Sequence, residues 1–153
     1  IKKKFNFGKL NPFFTKRYYE PDLQINFSRY LNRIASSSID ISDGLAHDLK
    51  HLCDNSKCGA FINLNFLPLS LKCKLLIRNK KIHLKKIFSR GDDYQILFTS
   101  NCKNRSKIAA LSKKIDTKIS RIGYMRKKRG IIFKYNSKVF RLNAKKMGYI
   151  HNF

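Results

Sequence analysis

Between residues 35 and 55 the chain changes its repeat from that of a strand to that of a helix, and this limits what it can fold into. Ala35-Ser36-Ser37-Ser38-Ile39-Asp40-Ile41 is a run of short, alternating residues that predicts a strand. Leu45, Leu49, Leu52 and Cys53 then recur at helical spacing and predict an amphipathic helix. A strand that feeds a helix through Ser42-Asp43-Gly44 sets Asp40 and Asp43 beside the space beyond the strand end. Ser42 is a candidate N-cap, and Asp43 falls in the first turn, where the helix dipole favours negative charge. Gly59 stands where the helix's C-terminal cap is expected.

The other segments follow the same logic. Residues 1–21 are basic and aromatic, with Pro12 and Pro21 as breakers, and read as an irregular connector. From Asp22 to Ile34, Leu23, Phe27, Tyr30, Leu31 and Ile34 share one helical face. Phe61, Ile62 and Leu64 predict a strand stopped by Pro68. Residues 70–90 are ambiguous, with Leu84, Ile87 and Phe88 suited to a short helix. Tyr94 to Phe98 reads as a strand, and Ile108, Leu111 and Ile115 as a second amphipathic helix. Three strands are expected near 117–125, 130–135 and 138–142, with turns at Gly130 and Asn136-Ser137. The expected fold class is α/β, a sandwich in which helices cover a mixed sheet, built as one domain over residues 22–153.

Acidic residues are scarce, 9 against 34 Lys and Arg, for a formal charge of +25. Five of the nine, Asp40, Asp43, Asp48, Asp92 and Asp93, fall in two short segments. Paired carboxylates near a helix N-terminus suit Mg²⁺ and a phosphate group together. Gly91-Asp92-Asp93-Tyr94 is a turn entering a strand, able to ligate metal or hydrogen-bond a substrate. Spacing alone leaves a second reading open, in which Asp40 and Asp43 merely cap a helix and Gly91-Asp92-Asp93 is an ordinary turn. No Gly-rich loop ending in Gly-Lys-Ser/Thr and no G-x-G-x-x-G occurs, which excludes the common nucleotide-binding signatures.

The positive charge invites a nucleic-acid reading. Lys, Ile and Asn are abundant throughout, however, as an AT-rich coding sequence would make them, and the basic residues are scattered. Only Arg126-Lys127-Lys128-Arg129 forms a compact run, which reads as a solvated hairpin tip. Nucleic acid is therefore not the expected partner. Cys53, Cys58, Cys73 and Cys102 make no C-x-x-C pair and read as reduced, mostly buried thiols. His47 and His51, four apart on the predicted helix, lack the Glu of a metalloprotease motif and read as surface histidines. No apolar stretch approaches the length of a membrane span and no signal-peptide core follows IKKK, so a cytoplasmic protein is expected. A chain that begins at Ile1 rather than Met reads as part of a longer protein.

The run from Ala35 to Leu49, ASSSIDISDGLAHDL, resembles the I-D-V-S-D-G-L-x-x-D-L motif of the thiamine-monophosphate kinases. The likeness continues through Ser56, Gly59-Ala60 and Leu67-Pro68-Leu69-Ser70 to Gly91-Asp92-Asp93-Tyr94-Gln95-Ile96-Leu97-Phe98. It ends with Arg121-Ile122-Gly123 and the tail Gly148-Tyr149-Ile150-His151. Sister families of the PurM-like superfamily carry different residues where this chain has Ser-Asp-Gly-Leu. The resemblance implies the C-terminal half of such a kinase, with residues 1–21 leading from an N-terminal ATP-binding half. It implies transfer of the ATP γ-phosphoryl group to thiamine monophosphate, in a full-length protein that forms a homodimer. By that likeness Asp40 and Asp43 hold Mg²⁺, Ser42 contacts ATP, and Asp92 and Tyr149 contact substrate. Asp92 stands where Glu is common, shorter by one methylene with the same charge, and Asn152 separates His151 from Phe153. Another PurM-like ATP-dependent enzyme, or a basic nucleic-acid-binding module, are the alternatives.

Overall fold

The computed structural model describes residues 7–88 and 94–141 of the chain. A 3-10 turn at Gly8–Leu10 leads into α1 (Asn11–Tyr19), within the segment expected to be irregular. Pro12 lies in the first turn of this helix, where its missing N–H costs nothing, so it starts the helix rather than breaking it. The expected helix over 22–34 is divided into two single turns, α2 (Ile25–Ser28) and α3 (Leu31–Ile34). Phe27 and Ile34 are buried, whereas Leu23 is exposed.

Strand β1 (Ser37–Asp40) leads to α4 (Leu45–Asn55), β2 (Gly59–Asn63), α5 (Leu71–Arg78) and α6 (Leu84–Phe88). Helix α5 falls in the ambiguous stretch. Its start is set by Ser70, whose hydroxyl accepts the Cys73 N–H at 3.1 Å. Strand β3 (Ile96–Thr99), α7 (Arg105–Lys114), β4 (Gly123–Arg126), β5 (Gly130–Tyr135) and β6 (Lys138–Phe140) complete the described elements.

The strands form an antiparallel pair, β1 with β3, and a mixed sheet in the order β4-β2-β5-β6. β2 runs antiparallel to β4 and parallel to β5, while β5 and β6 form a hairpin through Asn136-Ser137. The run expected to be a hairpin tip is therefore something else. β4 and β5 do not pair with each other; β2 is inserted between them, and Lys127–Arg129 cross over its beginning. Gly59 opens β2 beneath that crossing. A Cβ there would lie 2.3 Å from the Lys128 carbonyl oxygen and 2.4 Å from that of Gly130, so no larger residue fits.

The apolar stripe of α4 (Leu45, Ala46, Leu49, Leu52, Cys53) packs on Ala60 and Ile62 of β2 and Ile131 and Phe133 of β5. Leu84 and Phe88 of α6 close the same core, with the Phe88 and Phe133 rings 5.2 Å apart. Alternation along β2 turns Phe61 to the opposite face, where it stacks on the half-exposed Tyr124 at 5.2 Å. A mixed sheet with helices on its inner face is the expected architecture.

The expected cap at Gly59 is corrected too. Helix α4 ends earlier, at Asn55, and beyond it Lys57 takes the left-handed conformation with φ 51°. The Lys57 N–H reaches the Asp54 carbonyl at 3.1 Å, and the Cys58 N–H reaches the Cys53 carbonyl at 3.0 Å. These two bonds define a Schellman cap, and they satisfy carbonyls that the helix end would leave unpaired.

Candidate metal-phosphate site

The loop between β1 and α4 is shaped by one residue, Asp48. Its carboxylate is buried (3% exposed) and its Oδ2 accepts the N–H groups of Ser42, Asp43 and Gly44 at 3.1, 3.2 and 3.2 Å. Donation from three amides stabilises a charge that burial alone would disfavour. Gly44, at the N-cap position with φ 110° and ψ 146°, makes a bend that side-chain-bearing residues rarely adopt. The sequence placed the cap on Ser42. Ser42 instead is exposed, its side chain caps nothing, and the capping carboxylate reaches back from inside the helix. The loop amides expected to face a phosphate thus serve Asp48.

Asp43 projects from this held loop, half-buried, toward the first turn of α4. His47 Nδ1 lies 3.2 Å from Asp43 Oδ2 and 3.7 Å from Asp48 Oδ1. This nitrogen is buried and, despite the short distances, its orientation gives it no hydrogen bond. Asp43, His47 and Asp48 each offer one ligand atom, all within 4.8 Å of one another. Carboxylate oxygens suit Mg²⁺, and an imidazole nitrogen adds an affinity for transition-metal ions. The donor set fits a divalent cation. Of the two histidines expected at the surface, His51 is exposed and His47 is half-buried, with its Nδ1 in the clustered group. The available signal was a charge, Asp48, set among the apolar stripe positions Leu45, Leu49 and Leu52.

Asp40 ends β1 on its exposed face, opposite Ile96 of β3, and is not a member of the clustered group. Tyr94 and Gln95 pair with Ile41 through the backbone. The Ile41 N–H reaches the Gln95 carbonyl at 2.8 Å, and the Tyr94 N–H reaches the Ile41 carbonyl at 2.9 Å. The chain leaving Gly91-Asp92-Asp93 is thereby tied to the residue before Ser42. Asp92 and Tyr149 themselves lie outside the described residues.

Cys53 is buried, Cys58 and Cys73 are half-buried and Cys102 is exposed, so the cysteines are less hidden than expected; all four are free thiols. Among the described residues no helix is long and apolar enough to cross a membrane.

No protein-family model matches the chain. Comparison with solved structures defines the class first. The fold matches Escherichia coli HypE, a hydrogenase maturation protein, with a TM-score of 0.57 over 72% of this chain and 34% of that one, at 14% identity. It matches AaThiL, complexed with AMPPCP and TMP, with a TM-score of 0.74 over 96% of this chain and 44% of that one, at 24% identity. This is the PurM-like α/β fold. Sequence then narrows the class. The thiamine-monophosphate kinase of Buchnera aphidicola subsp. Schizaphis graminum is 38% identical over 146 residues, 94% of this chain. The chain is a homologue of the thiamine-monophosphate kinases, and it spans 44% of the length of that relative.

Proposed function

We propose that the chain supplies the C-terminal portion of a thiamine-monophosphate kinase, which transfers the ATP γ-phosphoryl group to thiamine monophosphate and yields thiamine diphosphate. The observation that carries this reading is 38% identity to such a kinase over 94% of the chain, with the β1–α4 acidic loop intact. Asp40 and Asp43 are assigned to Mg²⁺, Ser42 to ATP, and Asp92 and Tyr149 to substrate. His47, half-buried with its Nδ1 beside Asp43, joins the metal assignment. When bound, the metal neutralises phosphate charge and orients phosphate oxygens.

The chain's own part is positioning. Asp48 holds the Ser42-Asp43-Gly44 backbone, so Asp43 is presented without reorganisation at the moment of reaction. Ser42 stands exposed beside it, free of a capping duty. Pairing of Ile41 with Tyr94 and Gln95 supports a role for these residues beside the metal assignment. No side chain needs to act as a nucleophile, because the acceptor is the substrate's own anionic phosphate oxygen. The complete protein is assigned to the cytoplasm as a homodimer, with residues 1–21 as the approach from its ATP-binding half.

A chimaera tests this, with the chain replacing the matching stretch of the Buchnera aphidicola relative. Thiamine diphosphate should form with ATP and Mg²⁺, and Asp43→Ala should lower turnover by roughly 100-fold or more. A folded chimaera with no turnover, or one indifferent to Asp43→Ala, overturns the assignment. A chimaera that phosphorylates other substrates in preference to thiamine monophosphate redirects it to another enzyme of the same fold.

A further inference from the structure

The Schellman cap that ends α4 brings two cysteines together. In this motif the third-last helical residue and the second residue beyond the cap usually make an apolar contact. Here those positions are Cys53 and Cys58, joined through the backbone by the Cys58 N–H to Cys53 carbonyl bond of 3.0 Å. Their side chains meet as well. The Cys53 thiol is pushed up to about 12, first by burial and then by the charge and hydrogen bonding of Cys58. Cys53 is sealed in the core at 2% exposure, whereas Cys58 is half-buried and reachable.

We propose that Cys53 and Cys58 form a dithiol site that closes to an intrachain disulfide within the native fold. The co-reactant is a small-molecule disulfide of the glutathione type. The Cys58 thiolate attacks one sulfur of that disulfide, forms a mixed disulfide and expels one thiolate. Cys53 then loses its proton and attacks the Cys58 sulfur, which breaks the mixed disulfide and expels the second thiolate. Two protein thiols are oxidised, one disulfide is reduced to two thiols, and the two protons pass to the leaving groups. Once Cys58 is bound in the mixed disulfide it carries no thiolate charge beside Cys53 and is a weaker acceptor for the Cys53 S–H, which diminishes two of the influences that raise the Cys53 thiol. Burial still keeps the second step slow, so the mixed disulfide accumulates first. The site is independent of the kinase assignment and stands or falls without it.

The test exposes the full chain to oxidised glutathione under native conditions, followed by alkylation and tryptic mass mapping. Cleavage at Lys50, Lys57 and Lys72 places Cys53 in peptide 51–57 and Cys58 in peptide 58–72. The expected result is these two peptides joined by a disulfide, with Cys73 and Cys102 recovered unlinked to either. Cys53→Ser should stop at Cys58 carrying glutathione, and Cys58→Ser should leave Cys53 reduced. Circular dichroism before and after oxidation reports whether the fold is retained. Glutathione that stays on Cys58 of the unmutated chain once the reaction has run to completion, with no Cys53–Cys58 link, overturns the proposal, as does a link that forms only in urea.

Discussion

Asp48 accepts three amide N–H groups from one buried oxygen, which makes it the residue on which the acidic loop depends. Asp48→Ala leaves those donors without their acceptor and should destabilise the chain by about 2–4 kcal/mol. The urea midpoint measures it, and a loss below about 0.5 kcal/mol would show that the loop holds its shape by other means. Asp48→Asn keeps an acceptor oxygen without the charge and should fall between. This is also where the sequence was least explicit. Asp40 and Asp43 stood out because acids are rare in the chain, while Asp48 looked like one more member of the cluster. Nothing in local spacing says which carboxylate turns inward. That choice follows from the bend at Gly44, which aims three amides at a helical position four residues on.

Individual elements were legible wherever a period ran long enough. Helices α4 and α7 and strands β2 and β5 lie where apolar spacing placed them. What spacing could not reveal is the insertion of β2 between β4 and β5. Consecutive strands joined by a short basic link normally read as a hairpin. The one local mark of the crossing is Gly59, which has the same appearance in sequence as a helix-capping glycine. Gly59→Ala discriminates between the two roles. In a cap, alanine would cost about 1 kcal/mol. Beneath the Lys128 and Gly130 carbonyls it must push backbone aside, so a loss of about 3 kcal/mol in thermal unfolding is expected.

The whole molecule carries +25 over a surface that includes the exposed Tyr124 and Val139 on the outer sheet face. The basic residues are spread along the chain rather than gathered on one element. Binding to single-stranded DNA should therefore be weak, indifferent to sequence and lost near physiological salt in a fluorescence anisotropy titration. Sequence-selective binding that survives such salt would favour a nucleic-acid role instead. The β1–β3 pairing has one further consequence, in time rather than in space. Ser37 meets Thr99, and their hydroxyls bond at 2.7 Å, across a sequence separation of 62. Closing so long a loop precedes any reward from the ladder it forms. Helix α4 can gather its own turn-to-turn bonds early, but the backbone that leads into Ser42 acquires its partner strand only on closure. In pulse-labelled hydrogen exchange during refolding, the Ile41 amide should gain protection after the amides of α4. Simultaneous protection would mean that β1 and β3 pair before the helix between them has formed.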